Sequence, residues 1–212
     1  MNEPLLDQRL GQFLDELASA APTPGGGSVA ALNGAMAAGL ITMVCDLTIG
    51  KPQYVAFEAE AGELRRRAEA LRSELQDLAQ ADVDVFNRLS VAYKLPRTTE
   101  ADAAGRRAAI QTVTRQAAEV PLRSARAAAA LLPLCTPLAR HGNRNVVSDI
   151  GVAALLVRAV VPAALLNVEI NLAALEDQFF VRQVRAQVED LTIGLDEEAE
   201  GVLAIVRERI AS

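Results

Sequence analysis

The sequence predicts an all-α protein, a helical bundle with long antiparallel helices around a buried central helix rich in alanine and glycine. Apolar residues recur at helical spacing along most of the 212 residues, and no stretch alternates apolar and polar residues as a half-buried strand does. Hydrophobic residues make up 51% of the chain and aromatic residues only 3%. A core so poor in large side chains requires helices that approach closely, and we expect a single domain over residues 1–212.

The first two helices are predicted by apolar stripes and by the sequence between them. Leucines and Phe13 recur every three or four residues along 5–20, which indicates an amphipathic helix. Prolines and glycines at 22–27 end that helix, and Ser28 is a suitable N-cap for a second helix over 29–47. Small residues at spacing four predict that the second helix is central: Ala30, Gly34 and Ala38 in one row and Ala31, Ala35 and Gly39 in another.

The remaining helices follow the same spacing with interruptions. Residues 55–93 form one long predicted helix, and residues 106–131 form another with Pro121 as a potential kink. An apolar helix is expected over 149–175 and an amphipathic helix over 177–210. The sequence between these helices is expected to be irregular, at 48–54, 94–105 and 132–148.

Charge and cysteine content argue against several classes of protein. A formal net charge of −6 argues against a nucleic-acid partner, which usually requires a basic surface. Segment 29–45 is nearly uninterrupted apolar sequence, but it is shorter than the roughly 20 strongly apolar residues of a membrane span, so we expect no membrane partner. Acidic residues near the N-terminus do not fit a signal peptide, and Cys45 and Cys135 lie in apolar segments, which favours reduced thiols in the cytoplasm.

The stretch PTPGGGSVAAL at residues 22–32 leaves two interpretations open. Gly25, Gly27 and Ala30 match the loose dinucleotide-binding fingerprint, but that motif requires a preceding strand, and no P-loop lysine follows. Bare N–H groups at the positive end of a buried helix suit an anion or the polar edge of a ligand. Alternatively, crowding at a helix boundary excludes any side chain there.

A carboxylate interrupts the apolar seam of the long helix. The seam takes alternating steps of four and three residues, and Asp82 occupies the position between Leu78 and Val85. A buried acid requires a partner or a raised pKa, and such an acid suits proton-transfer catalysis. An Asp tied to a helix end or to an arginine is the structural alternative, and both interpretations remain open. The seam residues are Leu64, Ala68, Leu71, Leu75, Leu78, Val85, Leu89 and Ala92.

Polar residues also collect near the start and the end of the helix predicted over 149–175. N-capping explains one or two residues of a four-membered cluster at its start, but not all of them. Asn167 and Asn171 lie four residues apart on one face and either bond a neighbouring helix or recognise a polar heterocycle. His141 is the only histidine, which argues against a metal site of the usual kind. The four-membered cluster is Asn143, Asn145, Ser148 and Asp149.

Six sequence blocks, spread in order over residues 13–177, resemble the formiminotransferase-cyclodeaminase family, and more narrowly its cyclodeaminase/methenyltetrahydrofolate cyclohydrolase branch. Six blocks in the same order are a specific signal. The N-terminal transferase domains of the bifunctional animal enzymes have no counterpart here, so the resemblance does not imply transferase activity. The blocks are PTPGGGSVAAL, LTIGKPQY, DVFNRLSVAYKLPR, EVPL, GNRNVVSD and NVEINL.

The resemblance implies an all-α homodimer that acts on one-carbon tetrahydrofolates in a groove at or near the subunit interface. One family activity hydrolyses 5,10-methenyltetrahydrofolate to 10-formyltetrahydrofolate. The other cyclises 5-formiminotetrahydrofolate to the methenyl compound with release of ammonia. The folate is a substrate, and no permanently bound cofactor or metal is implied. The choice between cyclohydrolase and cyclodeaminase stays open, and a catalytically inactive folate-binding or scaffold subunit is the alternative.

The resemblance and the polar clusters together give the expected site residues. Asp82 is the expected acid/base, with Asp149 as a second catalytic candidate. Lys51 and Lys94 are expected to meet the glutamyl carboxylates, although Pro52 stands where many relatives carry a second basic residue. The expected substrate-binding residues are Gly25, Gly26, Gly27, Ser28, Lys51, Lys94, Asn143, Asn145, Ser148, Asn167 and Asn171.

Overall fold

Residues 4–212 form eight α-helices and no β-strand in the computed structural model, which confirms the predicted all-α bundle. The helices are α1 (Leu10–Leu17), α2 (Gly26–Asp46), α3 (Glu58–Tyr93), α4 (Glu100–Ala129), α5 (Leu132–His141), α6 (Val147–Leu172), α7 (Gln178–Thr192) and α8 (Leu195–Ala211). Two short 3-10 turns, Pro52–Phe57 and Arg144–Val146, lead into α3 and α6.

The long helices of the bundle run antiparallel. The start of α2 meets α3 at a hydrogen bond between Ser28 and Asp82, and the end of α2 meets the opposite part of α3 at an ion pair between Asp46 and Arg65. A short connection joins α3 to α4, which pack against each other. Short connections favour antiparallel neighbours, so the sequence-based expectation of antiparallel packing holds for these helices.

Helix α2 is central, as its small residues predict. It packs against α3, α4, α5 and α6. Ala30, Gly34 and Ala38 are buried, and a side-chain carbon on Gly34 would lie 3.1 Å from Leu75 Cδ2. The missing side chain at Gly34 lets α2 and α3 approach closely, because even one added carbon would press on Leu75. A buried Ala/Gly-rich central helix is therefore confirmed.

The N-terminus of α2 differs from the sequence-based prediction. The helix begins at Gly26, with Gly25 as an extended N-cap residue that makes no side-chain cap. The predicted N-cap, Ser28, lies inside the first turn, where its hydroxyl donates to Asp82 on α3. The N-cap prediction for Ser28 was therefore wrong, because the helix starts two residues earlier and the Ser28 hydroxyl lies against Asp82 instead of accepting from a backbone N–H of the first turn.

The middle of the chain is more helical than its proline and glycine content suggests. Helix α4 begins at Glu100 and not near residue 106, because Thr99 and Asp102 form a capping box. The segment expected to be irregular contains α5, and Pro133 lies in its first turn, where a missing N–H breaks no helical hydrogen bond. The first error came from overlooking the capping box, and the second from treating prolines as breakers where one of them suits the first turn of a helix.

The two ends of the chain also differ from the prediction. Only the middle of the predicted helix 5–20 is helical, because Leu5 is buried against α2 and α3, where its N–H donates to Gln80 Oε1 at 2.9 Å. The predicted helix 177–210 is divided into α7 and α8 at Gly194, which has a φ of +74°. Glycine adopts that left-handed conformation without a steric penalty, so the break falls there.

Two helical segments within residues 4–212 are long and apolar enough to cross a membrane by length and composition. They are α2 and the stretch Arg144–Leu172, which includes α6. About half of the most apolar part of each is buried inside the bundle. The core helices of soluble proteins have this character, and the other half of each segment lies outside the core of the protomer.

Candidate active site

A cleft of about 320 Å³ lies where the first turn of α2 meets α3 and α6. The backbone of the glycine stretch lines one side, Asp82 and Phe86 of α3 line another, and Asn167 and Asn171 of α6 line a third. Asp82 is the only charged residue among the described residues that line this cleft. The fold therefore brings together the glycine stretch, the acid of the α3 seam and the asparagine pair of α6.

The first turn of α2 presents backbone donors beside this cleft. The N–H groups of Gly26, Gly27 and Ser28 belong to the first helical turn, where no carbonyl of the same helix can accept from them. Gly25 supplies no side-chain cap. The positive end of the helix dipole lies at the same place. This helix end therefore favours a carboxylate or another polar acceptor.

The carboxyl group of Asp82 occupies the space that a side chain on Gly27 would need. A carbon added to Gly27 would lie 2.1 Å from Asp82 Oδ1 and 2.6 Å from Cγ, distances far inside van der Waals contact. Ser28 Oγ donates to Asp82 Oδ2 at 2.9 Å. Gly26 is less crowded, since an added carbon would stand 3.7 Å from the Asn167 amide. Crowding thus requires glycine at residue 27, and the group that crowds it is the candidate catalytic acid.

Burial raises the pKa of the Asp82 carboxyl above its ordinary value. Desolvation is the largest cause, and hydrogen bonds from the Ser28 hydroxyl and the Ser28 backbone act in the opposite direction without cancelling it. Asp82 is half-buried, so one part of the group reaches the cleft while another is held by α2. Asp82 is thus tied to a helix end, as one interpretation of the sequence held, and its raised pKa suits the proton transfer of the other interpretation.

The asparagine pair of α6 uses its amide hydrogens within the protein. Asn171 Nδ2 donates to the carbonyls of Ala117 at 3.0 Å and Asn167 at 2.7 Å, and Asn167 Nδ2 donates to the carbonyl of Ala163 at 3.0 Å. Neither Oδ1 atom accepts a hydrogen bond from residues 4–212. Asn171 therefore bonds a neighbouring helix, as one interpretation held, whereas Asn167 bonds only its own helix. The pair retains two acceptors for the N–H groups of a ligand.

Asn143 holds a second group of polar residues at the opposite end of α2. It is almost fully buried, its Nδ2 donates to the Leu47 carbonyl at 2.7 Å, and its backbone N–H donates to Thr48 Oγ1 at 3.0 Å. The backbone N–H of Asn145 donates to Asn143 Oδ1 at 3.1 Å. Since α2 has 21 residues, this group lies about 30 Å along the helix from the cleft. Asn143 thus fastens the α5–α6 connection to the end of α2.

The other expected site residues also lie outside the cleft of this protomer. Lys51 precedes the turn that follows α2, at the same end as Asn143. Ser148 is exposed and Asp149 half-buried in the first turn of α6, and neither lines the cleft. Lys94 ends α3, about 18 Å along the helix from Asp82. Within one protomer, the structure separates the expected residues into a cleft group and a distal group, with Lys94 apart from both.

Comparison with known proteins identifies the family. The formiminotransferase-cyclodeaminase family model matches residues 9–190. The chain belongs to that family. It is 43% identical over 179 residues to the methenyltetrahydrofolate cyclohydrolase of Methylorubrum extorquens, which covers 84% of this chain and 86% of that protein.

Longer and structurally characterised relatives agree with this assignment. The chain is 37% identical over 206 residues to the formimidoyltransferase-cyclodeaminase of Sus scrofa, covering 97% of this chain and 37% of that protein. The fold matches the crystal structure of formiminotetrahydrofolate cyclodeaminase from Thermotoga maritima with a TM-score of 0.85, 31% identity, and coverage of 97% of this chain and 98% of that one. This family member therefore spans little more than a third of the pig relative.

Phe86 is a cleft residue of this family member that residue-level sequence reasoning missed. It follows Asp82 by one helical turn on α3, lines the same cleft and is 39% exposed. Ile170 of α6 also lines the cleft and is exposed. A flat aromatic ring and an aliphatic side chain beside polar acceptors suit a planar heterocycle. The spacing of four from Asp82 was the sequence signal that identifies Phe86.

No three His, Cys, Asp or Glu side chains come together as a potential metal site within residues 4–212 of this family member. Its single histidine, His141, stacks at a ring-centroid distance of 5.4 Å against Phe57. The described residues therefore offer no cluster from which a metal mechanism can be built.

Replacing the distal Asn143 with alanine is expected to destabilise this family member by about 1–3 kcal/mol. The change removes two hydrogen bonds of the buried Asn143 side chain, one to the Leu47 carbonyl and one from the Asn145 N–H, and the loss of such bonds at a buried site carries a penalty of that size. Urea unfolding of Asn143→Ala measures the loss. The exposed Asn145, changed to alanine, is the matched control, with an expected effect within about 0.5 kcal/mol. An Asn143→Ala protein of wild-type stability would contradict this structural role.

Proposed function

We propose that the chain is an enzyme of one-carbon folate metabolism that hydrolyses 5,10-methenyltetrahydrofolate to 10-formyltetrahydrofolate. The observation that carries this proposal is the Asp82 carboxyl, held beside backbone donors in a cleft with two amide acceptors and an aromatic ring. The identity of 43% with a methenyltetrahydrofolate cyclohydrolase supports the choice of reaction. Both the cleft and that relative favour an enzyme over a scaffold subunit.

The hydrolysis requires one group that accepts a proton and later returns it. Water attacks the carbon that bridges N5 and N10 of the cationic substrate, and Asp82 takes a proton from that water. The tetrahedral intermediate then breaks its bond to N5, Asp82 returns the proton to N5, and the formyl group stays on N10. Since the substrate carries a positive charge and the product does not, one further proton passes to solvent. A carboxyl with a raised pKa is suited to both transfers.

The remaining cleft residues have binding roles in this proposal. Asn167 and Asn171 accept hydrogen bonds from the N–H groups of the pterin through their Oδ1 atoms. Phe86 packs against the ring system, and the N–H groups of Gly26 and Gly27 donate to an acceptor on the substrate. Such contacts position the bridging carbon near Asp82. Holding the substrate and the proton carrier in this arrangement is the main contribution of the site to the rate.

Cyclisation of 5-formiminotetrahydrofolate is a second candidate, which would make the chain a lyase. The fold similarity to the Thermotoga cyclodeaminase, at a TM-score of 0.85, favours it. In that reaction N10 attacks the carbon of the protonated formimino group, and Asp82 takes the N10 proton. Asp82 returns that proton to the former imino nitrogen, which leaves as ammonia, and the methenyl cation remains. Neither reaction is an oxidation or a reduction, and the folate itself is the reactant, so we propose that no cofactor is permanently bound.

The absorbance of the methenyl chromophore in the near ultraviolet distinguishes these functions. Enzyme-dependent loss of absorbance from methenyltetrahydrofolate, above the uncatalysed rate, is the expected result for a cyclohydrolase. Enzyme-dependent gain of absorbance from 5-formiminotetrahydrofolate would identify a cyclodeaminase. Rates equal to background with both substrates would overturn the enzymatic proposal and favour the folate-binding or scaffold alternative.

A homodimer is also part of this proposal, because an apolar face of α2 and α6 lies outside the core. Its exposed members recur at spacings of three, four, seven and eleven residues, which places them on one side of each helix. They are Met36, Met43 and Leu47 on α2 and Val152, Leu155, Leu166 and Ile170 on α6. An apolar groove of about 440 Å³ lies between the two helices and adjoins the cleft at Gly26 and Asn167. A second copy of the chain, related by a two-fold axis, suits such a face.

A two-fold axis perpendicular to these helices would also bring the two groups of expected residues together. Gly26 lies near Asn167 at one end of the face, and Asn143 bonds Thr48 at the other. A rotation of 180° about this axis reverses the direction of α2 and α6 in the second copy, so the distal group of one copy meets the cleft of the other. Lys51 of the partner subunit would then supply the positive charge that the cleft lacks, to meet the glutamyl carboxylates.

Met36→Glu is expected to weaken dimerisation by about 100-fold or more, because a charge would be buried twice at the two-fold interface. Light scattering over a range of protein concentrations measures the dissociation. The monomer is expected to be inactive, because its cleft lacks the residues that the partner subunit supplies. Ile193→Glu, at an exposed residue between α7 and α8, is the matched control and is expected to stay dimeric. A wild-type protein that is monomeric at high concentration would contradict the proposed dimer.

We further propose that the chain acts in the cytoplasm without a membrane or nucleic-acid partner. Cys45 and Cys135 are buried free thiols, and burial raises the pKa of each to about 12, which keeps them protonated and unreactive. The exposed apolar face is assigned to a second copy of the chain and not to lipid. The net charge of −6 disfavours binding to nucleic acid.

A further inference from the structure

We infer that Ser28 is a positioning residue for Asp82 and not a contact of the substrate: its hydroxyl holds Oδ2, so that Oδ1 is the oxygen that exchanges the proton. The inference rests on the proposed function only in naming Asp82 as the proton carrier. It changes the role expected from the sequence, which places Ser28 among the residues that bind the folate.

Burial separates Ser28 from the ligand. Its side chain has no exposed surface, and it does not line the cleft, whereas Gly25, Gly26 and Gly27 do. Its hydroxyl donates to Asp82 Oδ2 at 2.9 Å. A folate in the cleft therefore meets the glycine backbone and Asp82, and Ser28 acts on it only through the carboxyl group.

The missing side chain of Gly27 leaves room for the other carboxyl oxygen of Asp82. Asp82 Oδ1 is the atom that lies closest to the missing side chain of Gly27, and Gly27 belongs to the cleft wall. Oδ2 already accepts the Ser28 hydroxyl, so a proton carried by Asp82 is held on Oδ1. The hydroxyl and the open space at Gly27 together fix the carboxyl on the face of α3 that borders the cleft.

The backbone of α2 makes this arrangement rigid. Helix α2 is packed on several sides by other helices, so the Ser28 hydroxyl has a fixed origin, while the Asp82 side chain rotates about two bonds. Asp82 is the only charged residue among the described residues that line the cleft, so no charged partner in the cleft orients it. Without the hydroxyl, the carboxyl loses its only side-chain hydrogen bond within the described residues.

Ser28→Ala is expected to lower kcat by about 10- to 100-fold, since a hydrogen bond to a charged group has that value, with KM within about twofold of the wild type. The Ser28 hydroxyl lowers the pKa of Asp82, so its removal raises that pKa. The acidic limb of kcat/KM is expected to move to higher pH, because the ionised base is then lost at a higher pH. Cysteine is a weaker donor of similar size, so the kcat of Ser28→Cys is expected to lie between those of the wild type and Ser28→Ala.

Carbon-13 NMR titration of the Asp82 carboxyl in the free protein tests the inference independently of turnover. The Asp82 resonance is identified by its absence from the spectrum of the Asp82→Asn variant. The Asp82 carboxyl is expected to titrate at higher pH in Ser28→Ala than in the wild type. Ser124→Ala is the matched control, because Ser124 is buried but bonds only the Val120 carbonyl of its own helix. An unchanged Asp82 titration in Ser28→Ala, or a raised KM with unchanged kcat, would overturn the positioning role. Absence of folate turnover would overturn the proposed function alone, since the titration is measured without substrate.

Discussion

An Asp82→Asn variant is expected to turn over methenyltetrahydrofolate about 100- to 10,000-fold more slowly than the wild type, while its helical content and its dimer stay intact. Loss of one positioned acid/base lowers a rate by that range. The substituted amide keeps the size of the side chain and an acceptor for the Ser28 hydroxyl, but it carries no transferable proton. The rate is measured from the methenyl absorbance, and folding from circular dichroism.

Asp84→Asn is the matched control for this variant. Asp84 lies half a helical turn further along α3, is exposed and accepts a hydrogen bond from Gln80, so the change is expected to leave the rate unaltered. Near-normal turnover in Asp82→Asn would remove Asp82 from the mechanism.

The Asp82→Asn variant also measures how the half-buried Asp82 affects the pH dependence of the free energy of unfolding. Burial raises the pKa of Asp82 in the folded protein above its ordinary value of 3.8, so the folded state binds a proton that the unfolded state releases. This contribution to the free energy of unfolding is fully present below pH 3.8 and is lost as the pH rises through the folded pKa. Unfolding experiments over a pH series are therefore expected to show a smaller decline in stability with rising pH for Asp82→Asn.

Gly27→Ala is expected to reduce turnover by at least about 100-fold and to destabilise the fold by about 1–3 kcal/mol. The added carbon would stand 2.1 Å from Asp82 Oδ1, so the carboxyl must rotate away and release the Ser28 hydroxyl. Displacing the Asp82 carboxyl is expected to slow turnover about as much as removing it. Overpacking of the helix contact lowers the free energy of unfolding by an amount of this size. Steady-state kinetics and urea unfolding give the two values.

Gly26→Ala is the internal comparison, because it makes the same chemical change one residue earlier. Its added carbon would meet the Asn167 amide at 3.7 Å, an ordinary van der Waals distance, so a much smaller loss of activity than in Gly27→Ala is expected. From sequence the two glycines are equivalent, and only the structure distinguishes them. A fully active Gly27→Ala protein, or equal damage from both changes, would contradict the proposed contact with Asp82.

The apolar periodicity was sufficient to predict the fold class and the importance of one carboxylate. The small-residue rows of α2 and the seam of α3 are local patterns, and packing two helices through them needs no information from elsewhere in the chain. Asp82 could be identified from the sequence because it is a charged residue at a seam position whose neighbours along the seam, Leu78 and Val85, are apolar. Helix ends were less predictable: the break at Gly194 and the start of α4 depend on single residues whose backbone geometry the sequence leaves ambiguous.

The sequence by itself determined that the chain is a helical bundle and that α2 is its central helix, and it marked an acid on α3 and the glycine stretch at the start of α2 as candidate site residues. Only the tertiary structure decided that these two features touch, that Ser28 bonds Asp82 instead of capping its helix, and that Asn143 fastens a connection about 30 Å along α2 from the cleft. The physical reason is that periodicity specifies which face of a helix is buried. Which side chains then meet depends on the alignment of helices joined by turns.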